Sequence, residues 1–173
     1  MRLIRLLLWC AIIAAGCSPQ EEALKAPHQT QDMRPESSFI GTWTLVEWTR
    51  ESDDEDVVYP YGEDAFGRII YTEDGHMAAI LMRRDRATIG NERVGELSAE
   101  DRAILGDGFF AYSGTFEVDP ADKKVIHHVD SCTNPNWVGQ DRTRTFEMVG
   151  NDRIVLRTTE VAPFSVLTWE RER

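Results

Sequence analysis

The chain has 173 residues, a hydrophobic fraction of 42% and a formal charge of −11. That length is enough for one domain with a sizeable core. The acidic excess, with no basic patch interleaved with aromatics, argues against nucleic acid or a bare anionic lipid surface as a partner and serves solubility instead.

At the N-terminus, Arg2 and Arg5 precede the apolar run Leu6 to Ala15. The run is too short to span a bilayer comfortably as a mature helix, and residues 1–16 read as a signal peptide. Ala14-Ala15-Gly16-Cys17 resembles the lipobox of bacterial lipoproteins, departing from it at Ala14, where leucine is commoner. The resemblance implies cleavage before Cys17 and diacylglycerol on its sulfur, and two or more acyl chains hold a protein stably on a membrane. Ser18 in place of an aspartate points to an outer membrane, with the protein facing the periplasm. An uncleaved anchor and a plain secretory signal are the alternatives. Of the three cysteines, Cys10 leaves with the signal and Cys17 goes to lipid. Cys132 then has no partner within the chain, and stability must come from the core. Residues 17–38, with Pro19, Pro27 and Pro35 among polar residues, read as a flexible tether.

The domain proper, 39–173, reads as strands. Phe39 to Arg50 carries tryptophans at both parities: Trp43, Leu45 and Glu47 share one face, Thr44, Val46 and Trp48 the other, so alternation does not choose a buried side. Acidic Glu51 to Asp56 is a solvated loop, and Tyr59-Pro60-Tyr61-Gly62 is turn chemistry. Gly67 to Thr72 and Gly75 to Met82 flank Asp74-Gly75, a hairpin signal. Between Arg83 and Gly108 the rhythm breaks. Ser98 followed by Asp101 looks like a helix start, and Gly106 or Gly108 ends the helix. That excursion is either a lid or plug, or a plain cover for one barrel end. Tyr112 to Val118 alternates cleanly, with Tyr112, Gly114, Phe116 and Val118 on one side. The predicted strands are 41–49, 67–72, 75–82, 112–118, 124–132, 142–149, 153–158 and 166–171. Short joints suit an all-β, eight-stranded antiparallel up-and-down barrel with one short helix between strands 3 and 4, and such a barrel can hold one small ligand. A β-sandwich is the competing architecture.

Val125 to Val149 carries the candidate chemistry. His127 and His128 point to opposite faces, while Arg142, Arg144, Phe146 and Met148 share one face. Arginine among apolar side chains suggests the wall of a small-molecule pocket. A buried Arg144 needs a partner, either an internal acid such as Glu47 or an anionic ligand. His127, as the inward histidine, is a candidate ligand contact or acid/base group. Tyr71, Tyr112, Phe116 and Phe146 are further candidate contacts, weighed against a plain core role, as is Trp137. No spacing resembles a metal site, and no Gly-rich phosphate loop is present, so no metal or cofactor is expected.

The segments GTWTLV (41–46), VVYPYGEDAFGRIIYTEDGHMAA (57–79), FAYSGTFEVD (110–119) and VIHHVDSCTNPNWVGQDRTRTFEM (125–148), with LRT and LTWER near the end, resemble the bacterial and fungal lipocalin-like domain family. The resemblance implies an eight-stranded barrel and no agreed activity. If strand eight lies beside strand one, Arg171 meets Trp43 in a cation–π contact that plugs one barrel end, much as lipocalins do. The expected role is a monomeric, membrane-anchored carrier or sequestering protein for a small hydrophobic or amphipathic molecule. The alternatives are an isomerase- or cyclase-like enzyme using His127 and Arg144, and a structural envelope protein with a filled barrel.

Overall fold

The structure is a computed structural model describing residues 35–51, 57–90, 93–160 and 163–173. The signal peptide, Cys17 and the tether as far as residue 34 lie outside the described residues. Eight strands follow in order: β1 Gly41–Glu51, β2 Phe66–Tyr71, β3 His76–Met82, β4 Phe109–Asp119, β5 Lys124–Cys132, β6 Asp141–Val149, β7 Arg153–Thr158 and β8 Phe164–Arg171. Each pairs antiparallel with the next, and β8 returns to β1 to close a barrel. The expected up-and-down barrel is therefore the fold, and the sandwich is not. Closure leaves no strand edge unpaired.

Alternation decides which side chains enter. Ile69 and Tyr71 of β2, Met77, Ala79 and Leu81 of β3, and Tyr112, Phe116 and Val118 of β4 are all buried. So are Val125, His127 and Val129 of β5, Ile154 and Leu156 of β7, and Leu167 and Trp169 of β8. β1 breaks the rule and thereby resolves the ambiguity of its two tryptophans. Leu45 faces Trp169, but the next partnered residue is Glu47, opposite Thr168. The irregularity is a β-bulge that leaves Val46 without a partner. Val46 and Glu47 both turn outward, while Trp43, Leu45 and Trp48 all turn inward. Glu47 is therefore outside the barrel and is not the internal acid for Arg144.

One end of the barrel is packed shut. Residues Pro35–Ser38 form a 3₁₀ turn rather than the last part of a tether, and Phe39 behind it is fully buried. Its ring meets Tyr71 and Phe146 edge-on, with centroids 5.4 and 5.0 Å apart. Trp43 donates its indole N–H to the Phe39 carbonyl at 2.7 Å. Trp43 pairs with Arg171 across the β1–β8 seam, and the guanidinium carbon lies 4.0 Å from the Trp43 ring centre. Arg171 also donates to the carbonyls of Ser38, Ile40 and Asn151. One side chain thus ties the entering chain, the seam and the β7 hairpin together.

Helix α1, Ala99–Gly106, lies between β3 and β4, with Ser98 accepting from the Asp101 amide at 3.0 Å as its cap. Its C-terminal carbonyls are taken by Arg86, which reaches Ile104, Leu105 and Asp107. The helix buries none of its residues. It does not plug the interior.

Glycine positions offer a test of this packing. A Cβ on Gly114 would lie 1.8 Å from the His128 carbonyl oxygen, backbone to which β4 is paired. Gly114→Ala should cost about 3 kcal/mol or more, because the strands must part. Gly106→Ala meets nothing within 4 Å and should be neutral or stabilising by about 0.5–1 kcal/mol. Urea unfolding of both variants checks the contrast.

Candidate functional site

The half of the barrel away from Phe39 is hollow. A cavity of about 480 Å³ lies there, within the range of small-molecule sites. A barrel filled throughout is thus ruled out. Trp48, Tyr61, Phe110, Trp137 and Trp169 give the cavity aromatic walls, and Ile69, Ala79, Leu81, Leu156 and Leu167 give it aliphatic ones. Tyr112 and Arg144 are its buried polar groups, and Thr158 and Ser165 add half-buried hydroxyls. Exposed Arg50, Asn134, Glu160 and Pro163 form the rim, where the cavity meets solvent. Trp137 comes from a 3₁₀ turn, Pro135–Trp137, and stands edge-on to Phe110 with centroids 4.9 Å apart.

The residues singled out from sequence divide into two groups. Tyr112 and Arg144 line the cavity. Phe116, Phe146 and Tyr71 sit in the closed half instead, packed with Phe39 and with one another. His127 lies between the groups. Its Nε2 is 2.9 Å from the Tyr71 hydroxyl and its Nδ1 is 2.9 Å from the Tyr112 hydroxyl. The side chain is 1% exposed and does not line the cavity. His128 is on the outer face, with Asp141 at 2.6 Å and Glu117 at 3.7 Å.

Burial sets the charge states. Desolvation, then the nearby Arg144 cation and His128, hold the His127 pKa well below its ordinary value. Burial raises the Tyr71 pKa well above the usual phenol range, with Tyr112 adding to the rise. Tyr112 is raised by the same cause, opposed by Arg144. The imidazole is therefore neutral and the phenols protonated at neutral pH. With both ring nitrogens engaged, His127 offers no free atom to a molecule in the cavity. That leaves the acid/base use of His127 without the access it requires.

Arg144 is 6% exposed. Its Nη1 donates to the Thr143 carbonyl at 2.9 Å, and its guanidinium stands 6.0 Å from the Trp137 ring. Among the described residues no carboxylate is within ion-pair reach of it. Arg142 takes the local acid, Glu160, at 2.7 Å and lies 4.1 Å over Trp137. A buried cation with no counter-charge is expensive to hold. The buried side-chain polar atoms without a partner, among the described residues, are the indole nitrogens of Trp48 and Trp169 and Nε of Arg142. All three are donors, and although both tryptophans line the cavity, their indole nitrogens are buried out of its reach.

Sequence reasoning missed Trp48, Tyr61, Phe110 and Trp169 as cavity residues. Trp48 could not be placed without the β1 bulge. Phe110 lies at the start of β4, ahead of where the alternation becomes clean. Tyr61 sits in a segment that reads only as turn.

A sequence profile described as a lipocalin-like domain matches residues 40–172. A 4'-hydroxy-3'-methoxypropiophenone carrier protein from Aspergillus oryzae is 29% identical over 86 residues, spanning 42% of this chain and 75% of that protein. Among solved structures, a redesigned β-barrel is similar at 12% identity and a TM-score of 0.41, over 81% of this chain and 96% of that one. The wild-type fluorescent protein UnaG is similar at 13% identity and a TM-score of 0.39, over 79% and 99% of the two chains.

The neutrality of His127 has a consequence for acid stability. Above roughly pH 6.5 neither folded nor unfolded histidine carries the proton, and the contribution is complete. Below that, the unfolded chain takes up a proton that the folded chain refuses, so stability falls as pH falls. The slope is about 1.4 kcal/mol per pH unit for one proton. His127→Gln should flatten urea midpoints between about pH 6.5 and 5, before most carboxylates titrate. A variant curve parallel to that of the parent in this window would refute the assignment.

Proposed function

The chain belongs to the lipocalin-like domain family, and from that premise we propose that its barrel binds and carries a small amphipathic molecule with an apolar, aromatic body and an oxygen acceptor. The observation that carries this is the buried guanidinium of Arg144 on the wall of a largely apolar, aromatic cavity, with no carboxylate in ion-pair reach among the described residues. The walls supply stacking and contact area, which any flat ring accepts. Arg144 supplies the orienting charge. An acceptor on the ligand would match a cation that the protein leaves unpaired. The name of the Aspergillus oryzae relative gives it an aryl ketone as cargo, a molecule of this chemical type, and that supports the same class here.

The carrier is held at a membrane through its N-terminus. Cleavage before Cys17 and acylation of its sulfur would place the barrel on an outer membrane, facing the periplasm, at the end of the proline-bearing segment. A small ligand could then be held close to the lipid from which it partitions. The enzyme reading finds no support at His127, whose ring nitrogens are both occupied by tyrosines.

Two measurements test the proposal. Propiophenone titrated into the full chain should quench tryptophan fluorescence saturably and be recovered unchanged. Arg144→Met should weaken that binding while raising the stability of the empty protein by about 1–2 kcal/mol, because a lone buried charge is removed. Loss of stability in this variant would mean that Arg144 serves the fold and not a ligand. For the anchor, Cys17→Ser expressed in a Gram-negative host should abolish incorporation of labelled palmitate and move the protein from the membrane to the soluble fraction.

A further inference from the structure

The three-residue chain below the cavity has one hydrogen too many. A neutral imidazole carries one N–H, and two phenols carry two O–H groups. Only two bonds join them, Tyr71 to Nε2 and Tyr112 to Nδ1. One hydrogen must therefore point elsewhere, and the histidine tautomer decides which.

Suppose that the N–H is on Nε2. It donates to Tyr71, Tyr112 donates to Nδ1, and the spare hydrogen is that of Tyr71. Tyr71 is 1% exposed, stands against the rings of Phe39 and Phe116 and does not line the cavity. A hydroxyl hydrogen left there has no acceptor, which is costly. Suppose instead that the N–H is on Nδ1. Tyr71 then donates to Nε2, Nδ1 donates to Tyr112, and the spare hydrogen belongs to Tyr112, which does line the cavity. Burial of Tyr71 thus selects the Nδ1–H tautomer. Arg144, on the same wall, has donors only and cannot take that hydrogen. The two groups flank the same indole: the Tyr112 ring lies 5.7 Å and the Arg144 guanidinium 6.0 Å from the Trp137 ring.

We propose that the Tyr112 hydroxyl and the Arg144 guanidinium form a two-donor seat for one sp² oxygen of the ligand, a ketone or carboxylate oxygen, and that Tyr71 and His127 are positioning residues that aim the Tyr112 hydrogen into the cavity. The proposal rests on the cavity being a ligand site, and it names the atoms that select the ligand. A phenol that accepts from the imidazole N–H is a stronger donor through its own O–H, since hydrogen bonds in a chain polarise one another. A site built to satisfy such a donor rejects an analogue that lacks the oxygen.

The test uses the full chain and three probes of similar size: propiophenone, 2-phenyl-1-butene, in which the carbonyl oxygen is replaced by a methylene, and hydrocinnamate. Propiophenone should bind at least about tenfold more tightly than the alkene. In Tyr112→Phe, which keeps the ring packing, that advantage should shrink to within about twofold. The order of propiophenone and hydrocinnamate identifies the kind of oxygen preferred. The carbonyl stretch of labelled propiophenone should drop on binding, return toward its free value in Tyr112→Phe, and lie between the two in Tyr71→Phe. In ¹⁵N NMR, His127 should show a protonated Nδ1 and an unprotonated Nε2. Equal affinity for ketone and alkene, an advantage that survives Tyr112→Phe, or the opposite tautomer would overturn the seat while leaving the carrier reading intact. Failure of all three probes to bind would overturn both.

Discussion

Burying an imidazole between two phenols is tolerable only when its ring nitrogens are both engaged, and in this barrel that requirement separates a solid half from a hollow one. Below His127, the rings of Tyr71, Phe116, Phe146 and Phe39 fill the interior. Above it, Tyr112 and Arg144 open on the cavity. The histidine is held neutral at neutral pH, because desolvation and Arg144 both oppose the proton. It therefore works as a fixed spacer with one donor and one acceptor, and its orientation is set by Tyr71.

The barrel holds its shape around that floor through two features of β1. The bulge after Leu45 lets one strand send both tryptophans inward. Trp43 seals the closed end under Arg171, and Trp48 walls the cavity. Were the same residues to alternate strictly with no bulge, the strand would bury Glu47 in place of Trp48, a trade no small core tolerates unless the acid is paired. The closed end gains a second layer from the chain just before β1. Phe39 and the 3₁₀ turn preceding it fill the space that the strands leave; Arg171 holds the flanking carbonyls of Ser38 and Ile40, and Trp43 holds that of Phe39.

Of the two arginines on one face of β6, only one is paired with a carboxylate, Glu160, among the described residues. Arg142 has it, stacked against Trp137 at the rim. Arg144, one step deeper, does not. A stable core would replace such a residue with an aliphatic one; the proposed carrier role gives a reason for keeping the charge.

Sequence alone determined the strands, because alternation and hairpin turns are local and each needs only a handful of residues to be read. It also determined that His127, not its neighbour, faces inward with Arg144, since parity along a strand is strict between bulges. The division of the interior was decided by tertiary structure. Phe116, Phe146 and Tyr71 have the same parity and chemistry as true cavity residues, and only their height along the barrel axis, set by register between strands, places them against Phe39 instead. The pairing of Glu160 with Arg142 rather than Arg144, and the outward turn of Glu47, are likewise contacts between distant segments. Period-two patterning says which side of a sheet a residue occupies; it carries no information on what stands across the barrel from it.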